Sequence, residues 1–175
     1  PEIAELYSKE FEQMLSGKFH SAKSRNTGKH KFYIEGGTIE VLFSPKYNTA
    51  SRIIQIINNS KKYIYIPTFL ITHRQITEAL INAHKRGVDV KIIMDAANVA
   101  TTHIKYQQIR EQGIPLKIEN YAGKLHSKTM IIDDEYLITG SMNFSNSGEN
   151  KNDENLLIIK NSTIVKSYKR SEERR

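Results

Sequence analysis

Cysteine is absent from all 175 residues. That excludes disulfide staples and thiolate zinc sites, and leaves the redox compartment unspecified. Long apolar runs are also missing: nothing approaches the roughly 18 consecutive apolar residues of a membrane-spanning helix, and no signal-peptide core is present. No internal repeat and no linker-like stretch divides the chain, so a single domain with its own core is expected. Carboxylates are sparse where a metal would need them. Asp95, at the end of an apolar run, has no partner at metal-site spacing, and neither a catalytic metal nor a cofactor is expected. Because the chain opens on Pro1 rather than Met, a removed segment is expected ahead of it, with initiator Met, secretory signal, anchor and cloning boundary all open.

Positive charge is what the chain has in excess. It carries 26 Lys and Arg against 19 Asp and Glu, a net +7 with a pI near 9.5. This balance fits a polyanionic partner, either nucleic acid or an anionic membrane surface, and is equally compatible with simple solubility.

Periodicity gives the architecture. Ile3, Leu6, Tyr7, Phe11, Met14 and Leu15 recur at helical spacing with acids early, an amphipathic helix packed on its own domain. Ser16 to Lys31 is polar and basic and reads as an exposed loop or hairpin, a candidate guide for a nucleic-acid strand. Together, residues 1–37 form an N-terminal helix and basic loop packed on a catalytic domain of residues 38–175. That domain opens with a strand at Ile39–Phe43 and a helix from Asn48 or Thr49 through Asn58. A buried parallel strand at Tyr63–Ile66 follows, then a helix opened by the capping-box spacing of Thr72 to Gln75 and closed at Gly87. Further on come a strand at Val88–Met94, a helix at Val99–Gln112 and a short strand at Leu116–Ile118. The helical tail runs from Ser162 to Arg175. The pattern predicts an α/β fold: a mixed, largely parallel central sheet with helices on both faces. His73 and His103, near helix starts, are assigned surface roles.

The most informative stretch lies between Tyr121 and Asn155. His126, Lys128 and Asp133 stand as H-x-K-x4-D along a β-branched run. In an extended strand His126 and Lys128 project to one side and Asp133 to the other. The same parity recurs for Ser141 and Asn143, and for Asn152 and Glu154. Three neighbouring strands ending this way gather an imidazole, an ammonium, a hydroxyl, amides and a carboxylate. Such a set suits attack on a phosphodiester: Lys128, Asn143 and Ser141 offer charge and donors to phosphoryl oxygens, and His126 is a nucleophile able to form a phosphohistidine. Glu154 is placed to accept the other ring N–H of His126. Asp133 opens an ordinary hairpin turn at Asp133 to Glu135 and is read as mainly structural, despite its place in the motif. Ser141 is read equally as a small residue packed after Gly140. Lys124, Tyr121, Lys151 and Asn152 flank the set as candidate substrate contacts, Tyr121 by stacking a base or by packing.

The succession H-x-K-x4-D, then G-S-x-N, then K-N-x-E-N resembles the phospholipase D superfamily, in particular its short bacterial nucleases with a single copy of the motif. The resemblance covers the chain from about Thr38 onward. It implies a metal-independent phosphodiesterase, with Asp133 counted in the motif. It also implies that two motif copies share one active site, one His attacking and the other protonating the leaving oxygen. With one copy per chain, a homodimer with the site on its two-fold axis follows. The cysteine-bearing insertion of mitochondrial relatives is absent.

Three readings follow. The first is a nuclease that reads phosphates rather than base edges, acting on DNA or RNA, with single-stranded DNA favoured by a narrow cleft. The second is a phospholipase acting on an anionic lipid such as cardiolipin, which calls for an exposed apolar patch or amphipathic helix beside the cleft; the first helix is the candidate. The third is a binding module that has lost its chemistry, although no motif residue is missing. A fainter resemblance to membrane-linked bacterial nucleases of DNA uptake implies a membrane-anchoring segment ahead of Pro1 and an extracytoplasmic location.

Overall fold

The computed structural model describes residues 2–98, 106–120 and 123–172. One eight-stranded sheet organises them, in the order β1-β2-β8-β7-β6-β3-β4-β5. The strands are β1 (Lys31–Ile34), β2 (Gly37–Ser44), β3 (Tyr63–Thr68), β4 (Asp89–Asp95), β5 (Leu116–Glu119), β6 (Met130–Ile132), β7 (Tyr136–Gly140) and β8 (Glu154–Lys160). The helices are α1 (Glu2–Leu15), α2 (Thr49–Asn59), α3 (Arg74–Lys85), α4 over residues 106–111, α5 (Asn146–Asn150) and α6 (Ser162–Glu172). None of the described helices is long and apolar enough to cross a membrane.

The α/β class and the mixed sheet are those expected from the sequence. Parallel pairing is confined to β3–β4 and β4–β5; the other ladders are antiparallel. The reason is insertion. Strands β6, β7 and β8 enter between β2 and β3, so the successive strands β2 and β3 point the same way without pairing. Strand β1 has no counterpart in the sequence reading, because Lys31 to Ile34 is half polar; it hydrogen-bonds to β2 as the sheet edge.

Alternation along the strands splits the apolar residues between two layers. Leu42, Ile64, Ile66, Val90, Ile92, Met130, Ile132, Ile138, Leu156 and Ile158 join Ile53, Ile57, Ile76 and Leu80 of α2 and α3 in the main core. On the opposite face Tyr63, Ile131 and Leu137 meet Val165 and Tyr168 of α6, while Tyr7 of α1 packs edge-on against Phe43 with ring centroids 5.1 Å apart. Helices therefore lie on both faces.

Two local expectations are corrected. Thr72 does not cap α3; the N-cap is His73, whose ring nitrogen Nδ1 accepts from the Ile76 amide at 3.4 Å. Nor is His73 at the surface. It is 2% exposed, with Nε2 held 2.8 Å from Glu149 on α5. His103, the first residues of the helix expected from Val99 and the last three residues of the tail lie outside the described residues.

Candidate active site

Strand direction decides where the motif residues meet. Strands β2, β3, β4, β5 and β7 end along one edge of the sheet, and the antiparallel strands β6 and β8 begin there. His126 and Lys128 precede β6, Ser141 and Asn143 follow β7, and Glu154 opens β8, so all converge on that edge. The carboxyl ends of parallel strands are where open α/β sheets bind ligands.

The segment carrying His126 is not a regular strand. Residues 124–127 have no assigned secondary structure, and Lys128 touches the sheet through an isolated bridge to Thr68. Buried Asp95 holds this segment from β4: its Oδ2 accepts from the Leu125 amide at 2.7 Å, while Oδ1 accepts from Ala97. The Phe69 amide donates to the Ser127 carbonyl at 2.6 Å from the end of β3. His126 is exposed, and its ring packs edge-on against Phe69, centroids 4.7 Å apart.

Lys128 is 7% exposed. Its Nζ donates to the His126 carbonyl at 2.7 Å and lies 5.0 Å over the Phe69 ring. Burial lowers its ammonium pKa, and the Glu154 charge partly offsets this. A desolvated ammonium beside an exposed imidazole acts strongly on an incoming anion, because little water screens it.

Glu154 is held by its neighbours rather than by His126. Ser141 donates its hydroxyl to Oε2 at 2.5 Å, and Asn152 donates its amide to Oε1 at 3.0 Å. Ser141 also accepts from the Asn155 amide at 3.0 Å. To the two sequence readings of Ser141 the structure adds a third, the orientation of Glu154. Asn152 likewise points at this carboxylate. The close approach of β7 and β8 requires Gly140: a Cβ there would stand 2.3 Å from the Asn155 carbonyl, and its φ is +148°.

Asn143 lies in a turn anchored by fully buried Phe144, whose carbonyl accepts from Thr72 and His73. Gly148 supports the same turn, since a Cβ would lie 2.3 Å from the Asn143 carbonyl. The side-chain Oδ1 of Asn143 is buried and unpartnered among the described residues. An orphaned buried polar atom costs about 1–3 kcal/mol; this carbonyl oxygen calls for a donor, and it is the Nδ2 end of the same amide that can donate to a phosphoryl oxygen.

Asp133 stands apart. It sits at the far end of β6, where its carboxylate accepts from the amides of Lys61, Lys62 and Tyr63 at 2.7 to 2.9 Å. Asp133 and Asp134 both adopt the left-handed conformation of a tight hairpin turn. The structure does not bring Asp133 into the cluster. Lys124 is exposed and lines a separate cleft of about 670 Å³ over β3, β4 and β5, with Lys91, Lys117 and Lys169. Lys151 is exposed at the end of α5. Tyr121 lies outside the described residues.

A buried ionic network was missed by sequence reasoning. Lys23, assigned to an exposed basic loop, is 3% exposed; it pairs with Glu10 of α1, lies 2.8 Å from Asp153 and donates to the Ser44 carbonyl at 3.2 Å. Asp153 also accepts from the His20 amide at 2.9 Å and sits 2.9 Å from its Nδ1. Burial raises the Asp153 pKa, but the bonds from Lys23 and His20 outweigh it and hold the carboxyl below the ordinary range. One Lys among many in a polar stretch carries no periodic signal; the buried Glu10 on the apolar stripe of α1 was the available clue. Among the described residues no group of three or more His, Asp and Glu stands together as a metal site.

The chain matches the model described as cardiolipin synthase, PLD-like domain, over residues 53–174. A phospholipase D of Rickettsia prowazekii is 33% identical over 130 residues, covering 74% of this chain and 63% of that relative. A mitochondrial cardiolipin hydrolase of Xenopus tropicalis is 27% identical over 124 residues, 71% of this chain and 59% of that protein. The chain therefore spans less than two thirds of the length of these curated relatives. Among solved structures, Nuc from Salmonella typhimurium, a phospholipase D family member, superposes with a TM-score of 0.75 at 30% identity, covering 79% of this chain and 93% of that one. NucT from Helicobacter pylori gives 0.64 at 22% identity and supports the fold alone.

Proposed function

Because the chain belongs to the phospholipase D-like domain family, a superfamily of hydrolases, we propose that it is a metal-independent nuclease that cleaves phosphodiesters through a phosphohistidine at His126. The observation that carries this reading is that the exposed His126 imidazole and the buried Lys128 ammonium both pack against the Phe69 ring at one sheet edge. Likeness to Nuc over nearly the whole of that chain supports nuclease rather than lipid chemistry, and the net charge of +7 suits a polyanionic substrate of either kind.

In this mechanism Lys128 and Asn143 bind the non-bridging oxygens, and an imidazole nitrogen of His126 attacks phosphorus while the ester oxygen departs. A departing alkoxide needs a proton, and His126 is already engaged. The proton comes from His126 of the partner subunit in a homodimer that places two copies of the edge around one phosphate. Water then attacks the phosphohistidine, and the partner's imidazole takes the proton back. A site built on phosphate contacts loses affinity steeply with salt, and a narrow cleft favours flexible single-stranded DNA over a duplex. Lys124 and Lys151 contribute backbone contacts.

A phospholipid-hydrolase reading keeps one specific support: Phe11, Leu15 and Phe19 are 59%, 76% and 47% exposed on or just after α1, beside the site. That is the apolar surface a lipid enzyme needs. The names of the Rickettsia and Xenopus relatives also favour it. The test is a panel of single- and double-stranded DNA, RNA and cardiolipin vesicles in excess EDTA. Strand cleavage without lipid turnover supports the nuclease, and lipid turnover alone overturns it.

A further inference from the structure

A cavity of about 290 Å³ lies between α1 and the active-site edge. Its walls are Tyr7, Phe11 and Met14 of α1 with Phe43 of β2, and its far side is Ser141 and Glu154 themselves. Tyr7, Glu10, Phe11 and Met14 follow the i, i+3, i+4, i+7 spacing of one helical stripe, so a single face of α1 roofs the cavity. The Glu10–Lys23–Asp153 network locks that face to the start of β8. The cavity is thus a preorganised extension of the catalytic cleft.

We infer that this cavity is a base pocket, which receives the heterocyclic base of a nucleotide flanking the scissile phosphate. The inference rests on the nuclease reading and deepens it. Three properties select the occupant. The apolar wall is partly aromatic, and Phe11 is exposed enough to stack on a planar ring. The polar rim sets three carboxylates, Glu10, Asp153 and Glu154, against the single ammonium of Lys23; this net negative lining disfavours phosphate and suits a neutral group with N–H donors. Bases supply such donors from exocyclic amines and ring N–H groups, whereas an acyl chain has none. Finally, since Ser141 and Glu154 belong to both cavity and catalytic cluster, an occupant lies within one nucleotide of the reacting phosphorus.

The test compares two short single-stranded oligonucleotides, identical except that one carries a base-free sugar beside the one cleavable phosphate. The wild type should cleave the complete substrate with a kcat/KM on the order of tenfold higher, the change arising mainly in KM. In Phe11→Ala the two substrates should be cleaved within about twofold of each other. Leu15→Ala, which removes an exposed side chain outside the cavity, should keep the wild-type ratio. Equal wild-type rates on both substrates, or a ratio that survives Phe11→Ala, overturn the base pocket while leaving the nuclease reading intact. Wild type that cuts neither strand but turns over phospholipid vesicles, with Phe11→Ala losing that activity, overturns both.

Discussion

Ser141 and Glu154 form a hydroxyl–carboxylate pair 2.5 Å apart across the β7–β8 opening. The pair is completed by the Asn155 amide on the serine side and by Asn152 on the glutamate side. A carboxylate fixed by donors on both oxygens keeps one orientation, and loosening it disturbs the Lys128 ammonium whose charge it supports. Ser141→Ala should lower kcat by on the order of tenfold to a hundredfold with little change in KM. Ser141→Thr, which restores the hydroxyl, should recover most of that loss. Steady-state kinetics on an oligonucleotide checks both.

Lys128 is where function opposes stability. Its ammonium is buried and its pKa lowered by that burial, so the folded chain carries a desolvation cost at neutral pH. Lys128→Met keeps the stem and removes the charge. The variant should lose about a hundredfold or more in kcat/KM, while its urea midpoint stays at or above that of the wild type. A drop in midpoint would mean that the ammonium holds the fold together.

Stability should fall in acid through Glu149. The hydrogen bond from His73, foremost, holds its carboxyl below the ordinary value of 4.5, although burial opposes this. A depressed folded pKa gives stability that is fully present above the unfolded value and is lost as pH falls through the folded one. The urea midpoint should therefore decline below about pH 4.5, and more gently in Glu149→Gln. The same slope in both proteins would contradict the assignment.

The edge at which the motif residues gather was legible because the short apolar strands were: β6, β7 and β8 place the residues that precede or follow them at one end of the sheet. Ser141, Asn143, Glu154 and Lys128 reach the same edge even though residues 124–127 form no regular strand. The turn reading of Asp133 came from local chemistry, and its bonds to the Lys61, Lys62 and Tyr63 amides show the long-range partner that local chemistry does not name. Pairing order was not legible, because neither hydropathy nor spacing records that β8 lies beside β2. The fates of Lys23 and His73 were hidden for a related reason. A charged or titratable side chain is buried only when distant residues supply its partners, here Glu10 with Asp153, and Glu149.

The role of His126 as nucleophile is tested most directly by chemical trapping. An oligonucleotide labelled at its cleavable phosphate, quenched during turnover in excess EDTA, should leave an acid-labile, alkali-stable label on His126. His126→Ala should show neither label nor cleavage. Cleavage by wild type with no protein-bound label, or label and cleavage that persist in His126→Ala, would contradict the phosphohistidine mechanism.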